Sequence, residues 1–309
     1  METWSCIDGR WQRGDREDAQ LRWFHVSGGA HEELETLAER FGLHPLAIED
    51  CLSPLIHPPK IDEFGDHLFI VVLALNGDDV TATEEVDVFL GRTFLITYAD
   101  TALPEIEAAR RVLDSGIQVR SGPDGLLYEL ADRLVDGILP EINQLSDRLD
   151  GIENEVLKGS PGPSASHQVV ELRAQAGQVR RMFGPQLTLF QRLSRGEFSY
   201  ISDPNRVYFR DIYDHMVRVD LALEAVREDA EVVLSTYLSA LNNRMNEVMK
   251  VLSVVAALAL PANVISGVFG TNFDNVPGLH SNWGFIVMLT GMASLAIGMA
   301  LYFRRRGWF

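Results

Sequence analysis

The feature that most constrains this chain is a pair of long apolar runs close to its C-terminal end. Val251 to Phe269 holds nineteen residues and Trp283 to Phe303 holds twenty-one, and neither run contains Asp, Glu, Lys or Arg. Each run is long enough to cross a hydrocarbon core of about 30 Å as a helix. Uncharged runs of this length are rare in the cores of soluble proteins, so the sequence predicts two transmembrane helices.

The charges that flank the two runs predict their orientation. The connecting segment, residues 270–282, contains no Lys or Arg, whereas three consecutive arginines at 304–306 follow the second run. Arg244 and Lys250 precede the first run. Basic residues concentrate on the cytoplasmic side of membrane proteins. We therefore expect both chain ends in the cytoplasm and the short connecting loop outside.

The first part of the chain, residues 1–121, shows strand patterns mixed with helical ones. The predicted strands are rich in aromatic and β-branched residues. They are Leu21–Val26, His67–Leu75, Val86–Leu90 and Phe94–Tyr98. Helical patterns cover Glu32–Phe41 and Pro104–Leu113, the second with proline at a first-turn position. This part is predicted to be an α/β domain.

The middle of the chain is predicted to be a stalk of long helices. Apolar residues recur at steps of three and four from Leu126 to Val156, which indicates one long amphipathic helix. A loop rich in Gly, Pro and Ser follows at 159–166, and a second helix is expected over 167–195. From 205 to 260 there is no Pro or Gly, so one helix of on the order of 95 Å is expected to run into the first apolar segment.

The predicted organisation is thus that of a membrane protein with a cytoplasmic α/β domain, a helical stalk and two C-terminal spans. Its segments are the α/β domain 1–121, the stalk 122–250, the first span 251–269, the external loop 270–282, the second span 283–303 and the basic cytoplasmic tail 304–309.

Composition and motifs exclude several classes of function. The net charge of −17 argues against nucleic acid as a partner, because phosphate binding requires clusters of Lys and Arg. Cys6 and Cys51 have neither a zinc-site spacing nor a disulfide framework. The N-terminus has no apolar segment typical of a cleavable signal peptide. No nucleotide-binding loop or catalytic constellation is present, so we do not expect an enzyme.

Five segments spread along the chain carry a specific family pattern. They are FGLHPLAIEDCL at 41–52, PKIDEFGDHLFIV at 59–71, SALNNRMNEVMKVL at 239–252, LPANVISGVFGTNF at 260–273 and the terminal YFRRRGWF. Together they make the chain resemble the CorA family of magnesium channels over essentially its whole length. This is the group of two-span transporters marked by a Gly-x-Asn motif after the first span.

The resemblance implies a funnel-shaped homopentamer in the bacterial inner membrane, whose first span lines the pore. The selectivity filter would comprise Gly270, Thr271 and Asn272, with the asparagine forming a ring at the outer mouth. Five further positions match residues that line the pore of the family. They are Asn246, Met249, Leu252, Leu260 and Asn263. Helical periodicity places Asn246, Met249, Leu260 and Asn263 toward one side, with Leu252 and Ser253 on either side of that stripe.

The resemblance also implies inhibition by cytoplasmic Mg²⁺ bound between neighbouring domains. Asp211, in FRDIYDH, matches one of the carboxylates that bind this ion. Its partner is expected in the loop after the strand His67–Leu75, at Asp78 or Asp79. Mg²⁺ would thus be both the transported and the regulatory ion, with Co²⁺ or Ni²⁺ as further substrates and no organic cofactor.

The sequence departs from the family pattern around the outer mouth. Thr271 replaces the usual methionine of the motif, and the outer loop lacks its usual glutamate. Asp274 is the one fixed negative charge in that loop, and His280 adds a second candidate ligand. Asn263 stands where threonine is common, which would make the middle of the pore more polar.

Two alternative functions follow from these departures. One is a ZntB-like zinc transporter coupled to protons, which His280 and the altered motif leave open. The spans, however, contain no thiolate or His pair of the kind that zinc sites use. The other is a membrane ion sensor or scaffold that conducts nothing, which Thr271 motivates.

Overall fold

A computed structural model describes residues 1–77, 80–115, 122–158, 162, 164–271, 276–278 and 281–308. The chain divides into two units, Met1–Leu234 and Ser235–Phe309. The longest helix contributes residues to both units.

A seven-stranded sheet forms the centre of the N-terminal half of the first unit. Its strands are β1 (Glu2–Ile7), β2 (Arg10–Arg13), β3 (Leu21–Ser27), β4 (Lys60–Phe64), β5 (His67–Leu75), β6 (Thr83–Gly91) and β7 (Phe94–Ala99). The strand order is β2-β1-β3-β7-β6-β5-β4. Neighbouring strands are antiparallel except β3 and β7, which are parallel and pair Arg22 with Phe94.

The four strands predicted from the sequence are all present, β5 at the predicted bounds and the other three at slightly extended bounds. Three further strands, β1, β2 and β4, were not predicted because they are short or carry many polar residues. β2 buries a single side chain, Trp11, and β4 is the charged segment KIDEF at the sheet edge. Such strands are formed by pairing with a neighbour rather than by their own hydrophobic pattern.

Eight helices accompany the sheet in the described part of the chain. They are α1 (His31–Phe41), α2 (Pro45–Cys51), α3 (Pro104–Asp114), α4 (Pro123–Asp136), α5 (Ile138–Leu157), α6 (Ala165–Ser194), α7 (Asp203–Phe269) and α8 (Gly284–Arg305). The predicted uninterrupted helix from 205 to 269 is confirmed by α7. The predicted spans correspond to the last part of α7 and to α8.

The prediction of one helix from Leu126 to Val156 is wrong, because the structure interrupts it at Gly137. Pro140 lies four residues after Asp136, and a proline ring clashes with the carbonyl group four residues before it. Pro140 also has no N–H to donate to that carbonyl. Both effects favour a break here, where one helix ends at Asp136 and the next begins at Ile138, although α6 and α7 continue through Pro185 and Pro261.

The sheet has helices on both faces. On one face, Leu34 and Leu37 of α1 and Ala47 and Cys51 of α2 are buried in a cluster with Phe24 and other sheet residues. On the other face, α4 contacts β5, β6 and β7, and α6 contacts β4 and β5. The helices on the two faces of the sheet bury both sides of the central strands. This burial explains the almost continuous apolar sequence of β5.

Gln186 provides a polar contact between α6 and the sheet. Its side chain is fully buried, and its Oε1 atom accepts a hydrogen bond of 2.8 Å from the backbone N–H of Leu73. Gln186→Leu is expected to lower the free energy of unfolding by about 1–3 kcal/mol, because the Leu73 N–H would stay buried without an acceptor. Thermal unfolding of the detergent-purified chain measures this effect. Gln168→Leu, the same change at an exposed position of α6, should leave the midpoint unchanged.

Candidate ion pathway and metal-binding residues

Two helices of the second unit are long and apolar enough to cross a membrane, α8 and the C-terminal part of α7. Their large apolar side chains are mostly exposed within one copy of the chain. Leu260, for example, is 60% exposed and Val287 is 66% exposed. Such surfaces require lipid or other copies of the chain as neighbours.

The five predicted pore-lining residues all lie on α7 and are exposed in one copy of the chain. Leu252 and Leu260 are each 60% exposed, and Met249 is 53% exposed. They are therefore available to line a passage that several copies build together. Their role as pore-lining residues stays a prediction.

The end of α7 has a compact hydrogen-bond arrangement. The backbone N–H of Gly270 donates to the Ser266 carbonyl at 2.9 Å, and a Cβ atom at Gly270 would lie only 3.1 Å from that oxygen. The Thr271 hydroxyl donates to the Val268 carbonyl at 2.8 Å. The same carbonyl also accepts a longer hydrogen bond of 3.4 Å from the Thr271 backbone N–H, so Thr271 caps this end of the helix with two donors. These bonds close the helix directly before position 272.

Several predicted site residues lie outside the described residues. They are Asn272 of the predicted filter, Asp274 and His280 of the predicted external loop, and Asp78 and Asp79 of the predicted sensor.

Asp211, the remaining predicted sensor residue, lies on α7 beside a cluster that the sequence analysis missed. The Nε2 atom of His215 is 3.8 Å from Asp211 Oδ2, and its Nδ1 atom is 3.0 Å from Asp136 Oδ1 on α4. Asp132, Asp136 and His215 place one potential ligand atom each within 4.8 Å of one another. Carboxylate oxygens together with an imidazole can hold a divalent cation.

Asp132 is the half-buried member of this cluster. Its Oδ1 atom is buried without a hydrogen-bond partner among the described residues. Burial raises the pKa of the Asp132 carboxyl, and the negative charge of Asp136 raises this pKa further. A bound cation would offset both effects, because it favours the ionised carboxylate.

A sequence signal for this cluster exists in hindsight. Asp132 and Asp136 are four residues apart on α4, as are Asp211 and His215 on α7, so each pair lies on one face of its helix. The sequence does not show that these two faces meet.

Two helices long and apolar enough to cross a membrane and a cluster of side chains that could hold a metal ion are the features expected of a membrane protein that handles metal ions. Comparison of the sequence with models of known protein families identifies the class as metal-ion transporters. A model described as "CorA-like Mg2+ transporter protein" matches residues 18–305. The chain belongs to the CorA family of divalent-cation transporters, whose members are transporters or channels and not enzymes.

Two curated relatives show how the similarity is distributed. The chain is 34% identical over 296 residues to the putative metal ion transporter YfjQ of Bacillus subtilis, covering 95% of this chain and 92% of that protein. It is 29% identical over 300 residues to the cobalt/magnesium transport protein CorA of Thermotoga maritima, covering 95% and 85%.

A solved structure shows the same fold at low sequence identity. The CorA magnesium transporter from Methanocaldococcus jannaschii superposes with a TM-score of 0.87 at 20% identity, over 100% of this chain and 98% of that chain. The α/β domain, the long helix and the two apolar C-terminal helices are therefore the arrangement of this fold.

Proposed function

We propose that this chain forms a homopentameric channel that carries Mg²⁺ into the cytoplasm across the bacterial inner membrane. Both chain ends would lie in the cytoplasm. The observation that carries the proposal is the match of residues 18–305 to the family model for CorA-like Mg²⁺ transport. The relative from Thermotoga maritima, described as a cobalt/magnesium transport protein, supports Co²⁺ as a further substrate.

An assembly of several copies follows from the number of spans. Two helices do not enclose a pore, so each copy would contribute its first span, 251–269, to a common axis. The second span, 283–303, carries small residues that favour close helix packing. They are Gly291, Ala293, Ser294, Ala296, Gly298 and Ala300. Segments 1–121 and 122–250 would form the cytoplasmic domain and stalk, with 270–282 outside and 304–309 inside.

The filter chemistry suits a hydrated cation. Mg²⁺ gives up its water ligands reluctantly, so a filter does better to contact the hydrated ion. A ring of Asn272 side chains would offer carbonyl oxygens to the protons of those waters. Gly270 and Thr271 would hold this ring at the end of the helix. Outside it, Asp274 and His280 would contribute to the capture of cations.

The proposed gate lies further along the same helix. Met249 and Leu252 would form an apolar constriction that closes by losing its water. Asn246, Leu260 and Asn263 would line the remaining pore, with Asn263 as a polar midpoint. A divalent ion gains about 4.6 kcal/mol per 100 mV of inside-negative potential, twice the value for a single charge. Entry of Mg²⁺ therefore needs no chemical energy source.

A passive pathway of this kind requires inhibition from the inside, and we assign that role to Asp211. Its side chain is largely exposed and lies beside His215, which forms a cluster with Asp132 and Asp136 of α4. Cytoplasmic Mg²⁺ bound there would hold the channel closed. Asp78 or Asp79 remains the proposed partner of Asp211 from a neighbouring copy.

Flux measurements with purified protein in liposomes test the proposal. Mg²⁺, Co²⁺, Ni²⁺ and Zn²⁺ are compared side by side under an inside-negative potential. We expect Mg²⁺ uptake that rises with the potential and does not depend on a proton gradient. Proton-dependent Zn²⁺ uptake without Mg²⁺ uptake would contradict the proposal, and absence of any flux would favour a non-conducting sensor or scaffold.

The zinc alternative is retained because several relatives are described as zinc transport proteins. The chain is 24% identical over 292 residues to the zinc transport protein ZntB of Yersinia pestis, covering 93% of this chain and 87% of that protein. The same four-ion comparison separates the two functions.

A further inference from the structure

A buried histidine, His67, lies at the start of β5 in the first unit. Its side chain is only 2% exposed, and it leaves the same face of the sheet as Phe69 and Val71, toward the helices α1 and α2. Both of its ring nitrogens, Nδ1 and Nε2, are buried without a hydrogen-bond partner in the described part of the chain. Buried polar atoms in native proteins are almost always bonded, so this imidazole is exceptional.

Aromatic rings are the close neighbours of the His67 imidazole. The ring of Phe64, its cross-strand partner on β4, has its centroid 5.6 Å away, and the centroid of the Phe89 ring on β6 is 5.8 Å away. Neither ring accepts a conventional hydrogen bond. A protonated His67 would therefore be a buried cation with two N–H donors and no acceptor, which is costly. The position requires the neutral imidazole.

A second histidine, His44, also contacts Phe64 and also requires the neutral form. Its ring stacks on the Phe64 ring, with 4.1 Å between the centroids and 9° between the planes. His44 is the N-cap of α2, and its Nδ1 atom accepts a hydrogen bond of 3.2 Å from the backbone N–H of Leu46. An imidazolium carries N–H groups at both nitrogens, so it does not accept this bond. Protonation of His44 thus removes the cap of α2.

The ionisable groups near His67 do not compensate for its burial. Burial lowers the pKa of His67, and the neighbouring His44 lowers it further. Asp66, in the turn between β4 and β5, raises this pKa, but its side chain is exposed and screened by solvent. The strands β4 and β6 face His67 with Phe64 and Phe89, which do not titrate.

The turn between β4 and β5 also contacts the segment that leads into the longest helix. The carbonyl oxygen of Gly65, in this turn, accepts a hydrogen bond of 2.6 Å from the Tyr200 hydroxyl. Tyr200 comes shortly before Asp203, the first residue of α7. A displacement of the turn would therefore be felt at the start of α7.

We propose that His44, Phe64 and His67 form an acid-sensitive clasp that holds the start of α2 against the turn between β4 and β5. Near neutral pH both imidazoles are neutral and the clasp is closed. On acidification His44 loses its bond to Leu46 and His67 becomes a buried cation, so the start of α2 and the turn separate. The clasp does not depend on which ion the chain transports.

The direction of the pH dependence follows from the burial of His67. Its pKa is lower in the folded chain than in the unfolded chain, where it is about 6.5. The unfolded or locally open state therefore binds the proton first as the pH falls. The stability that neutral His67 confers is complete above about pH 6.5 and is lost progressively below that value.

His57 responds to acid in the opposite sense. It lies in the segment between α2 and β4, where its Nδ1 atom is 3.2 Å from Glu85 Oε1 and its Nε2 atom is 3.8 Å from Asp50 Oδ1. Protonation turns both contacts into ion pairs. Because Asp50 belongs to the last part of α2, acid strengthens the attachment of that end. The proposed opening is therefore confined to the start of the helix.

Hydrogen exchange of the full-length chain in detergent, read by mass spectrometry and corrected for the intrinsic effect of pH, tests the clasp. The peptides of interest cover the start of α2 and the turn between β4 and β5. Between about pH 7.5 and about pH 5.5 we expect wild-type protection there to fall by about tenfold, because one pH unit below the ordinary histidine pKa corresponds to a factor of ten.

A double variant removes both titrating groups and keeps their packing. His67→Phe retains an aromatic ring, and His44→Asn retains an acceptor at the N-cap of α2. We expect this variant to keep the same protection at both pH values. His31→Phe, the same change at the exposed first residue of α1, is the matched control and should show the wild-type loss.

An equal loss of protection in the wild type and the double variant would overturn the proposal, as would a wild type whose protection does not fall. Should His67→Phe fail to fold, as judged by gel filtration, His67→Leu takes its place with the same outcomes. Thermal unfolding gives a second measurement. The wild-type midpoint should fall further on acidification than that of the double variant, and equal falls would also reject the clasp.

Discussion

Asn272→Ala is expected to lower the rate of Mg²⁺ uptake into proteoliposomes by at least about tenfold. Each copy would lose one carbonyl acceptor for the waters of the ion, and a hydrogen bond to a charged partner contributes about 1.5–3 kcal/mol. A difference of about 1.4 kcal/mol corresponds to a factor of ten. Uptake is followed with a Mg²⁺-sensitive dye at a fixed potential, and protein amounts are matched by quantitative blotting.

The control for this prediction is Asn282→Ala. Asn282 is exposed, lies in the same connecting segment and undergoes the same chemical change. We expect wild-type uptake from this variant. If Asn272→Ala and wild type transport Mg²⁺ at equal rates, position 272 is not the filter, and the family motif does not determine permeation in this chain.

Asp211→Ala is expected to keep the channel open at concentrations of internal Mg²⁺ that close the wild type. Even residues that only support a metal ligand change metal affinity by about 10–100-fold when mutated. Loss of a ligand should therefore raise the Mg²⁺ concentration for half-inhibition by at least about tenfold. Patch-clamp recording of reconstituted protein, with Mg²⁺ varied on the cytoplasmic face, measures this shift.

Asp214→Ala is the matched control for the sensor. Asp214 is an exposed aspartate on the same helix, three residues from Asp211, and should leave the inhibition curve in place. Inhibition of Asp211→Ala at the wild-type Mg²⁺ concentration would exclude Asp211 as a sensor. It would also leave the cluster of Asp132, Asp136 and His215 without an assigned role.

The class of fold was predictable because its strongest signals are local. The two apolar runs, the helix without Pro or Gly before residue 261 and the apolar strand β5 are each visible within one stretch of sequence. The break at Gly137 has a local signal in Pro140, which disfavours a continuous helix, but α6 and α7 continue through Pro185 and Pro261, so proline alone does not predict a break. The short strands β1 and β2 were not, because they are stabilised by pairing with β3 and with each other.

The candidate metal-binding cluster was harder to predict because it depends on contacts between distant segments. His215 and Asp136 are 79 positions apart in the sequence, and their contact follows from the packing of α7 against α4. Burial of a polar residue is also difficult to predict, and Asp87 is an example. It lies in the strand pattern EEVDVFL, where an acidic residue normally indicates a solvent-facing position, yet α2 and the following segment cover it.

The burial of both cysteines has a practical consequence for spectroscopy. Cys6 is 5% exposed and Cys51 is 4% exposed, and burial raises the pKa of each thiol, so neither presents a reactive thiolate. The natural chain thus has a low background for thiol labelling. A single cysteine introduced at exposed Asn282 would carry a spin label selectively, and the distances between labels would reveal whether copies assemble and how many.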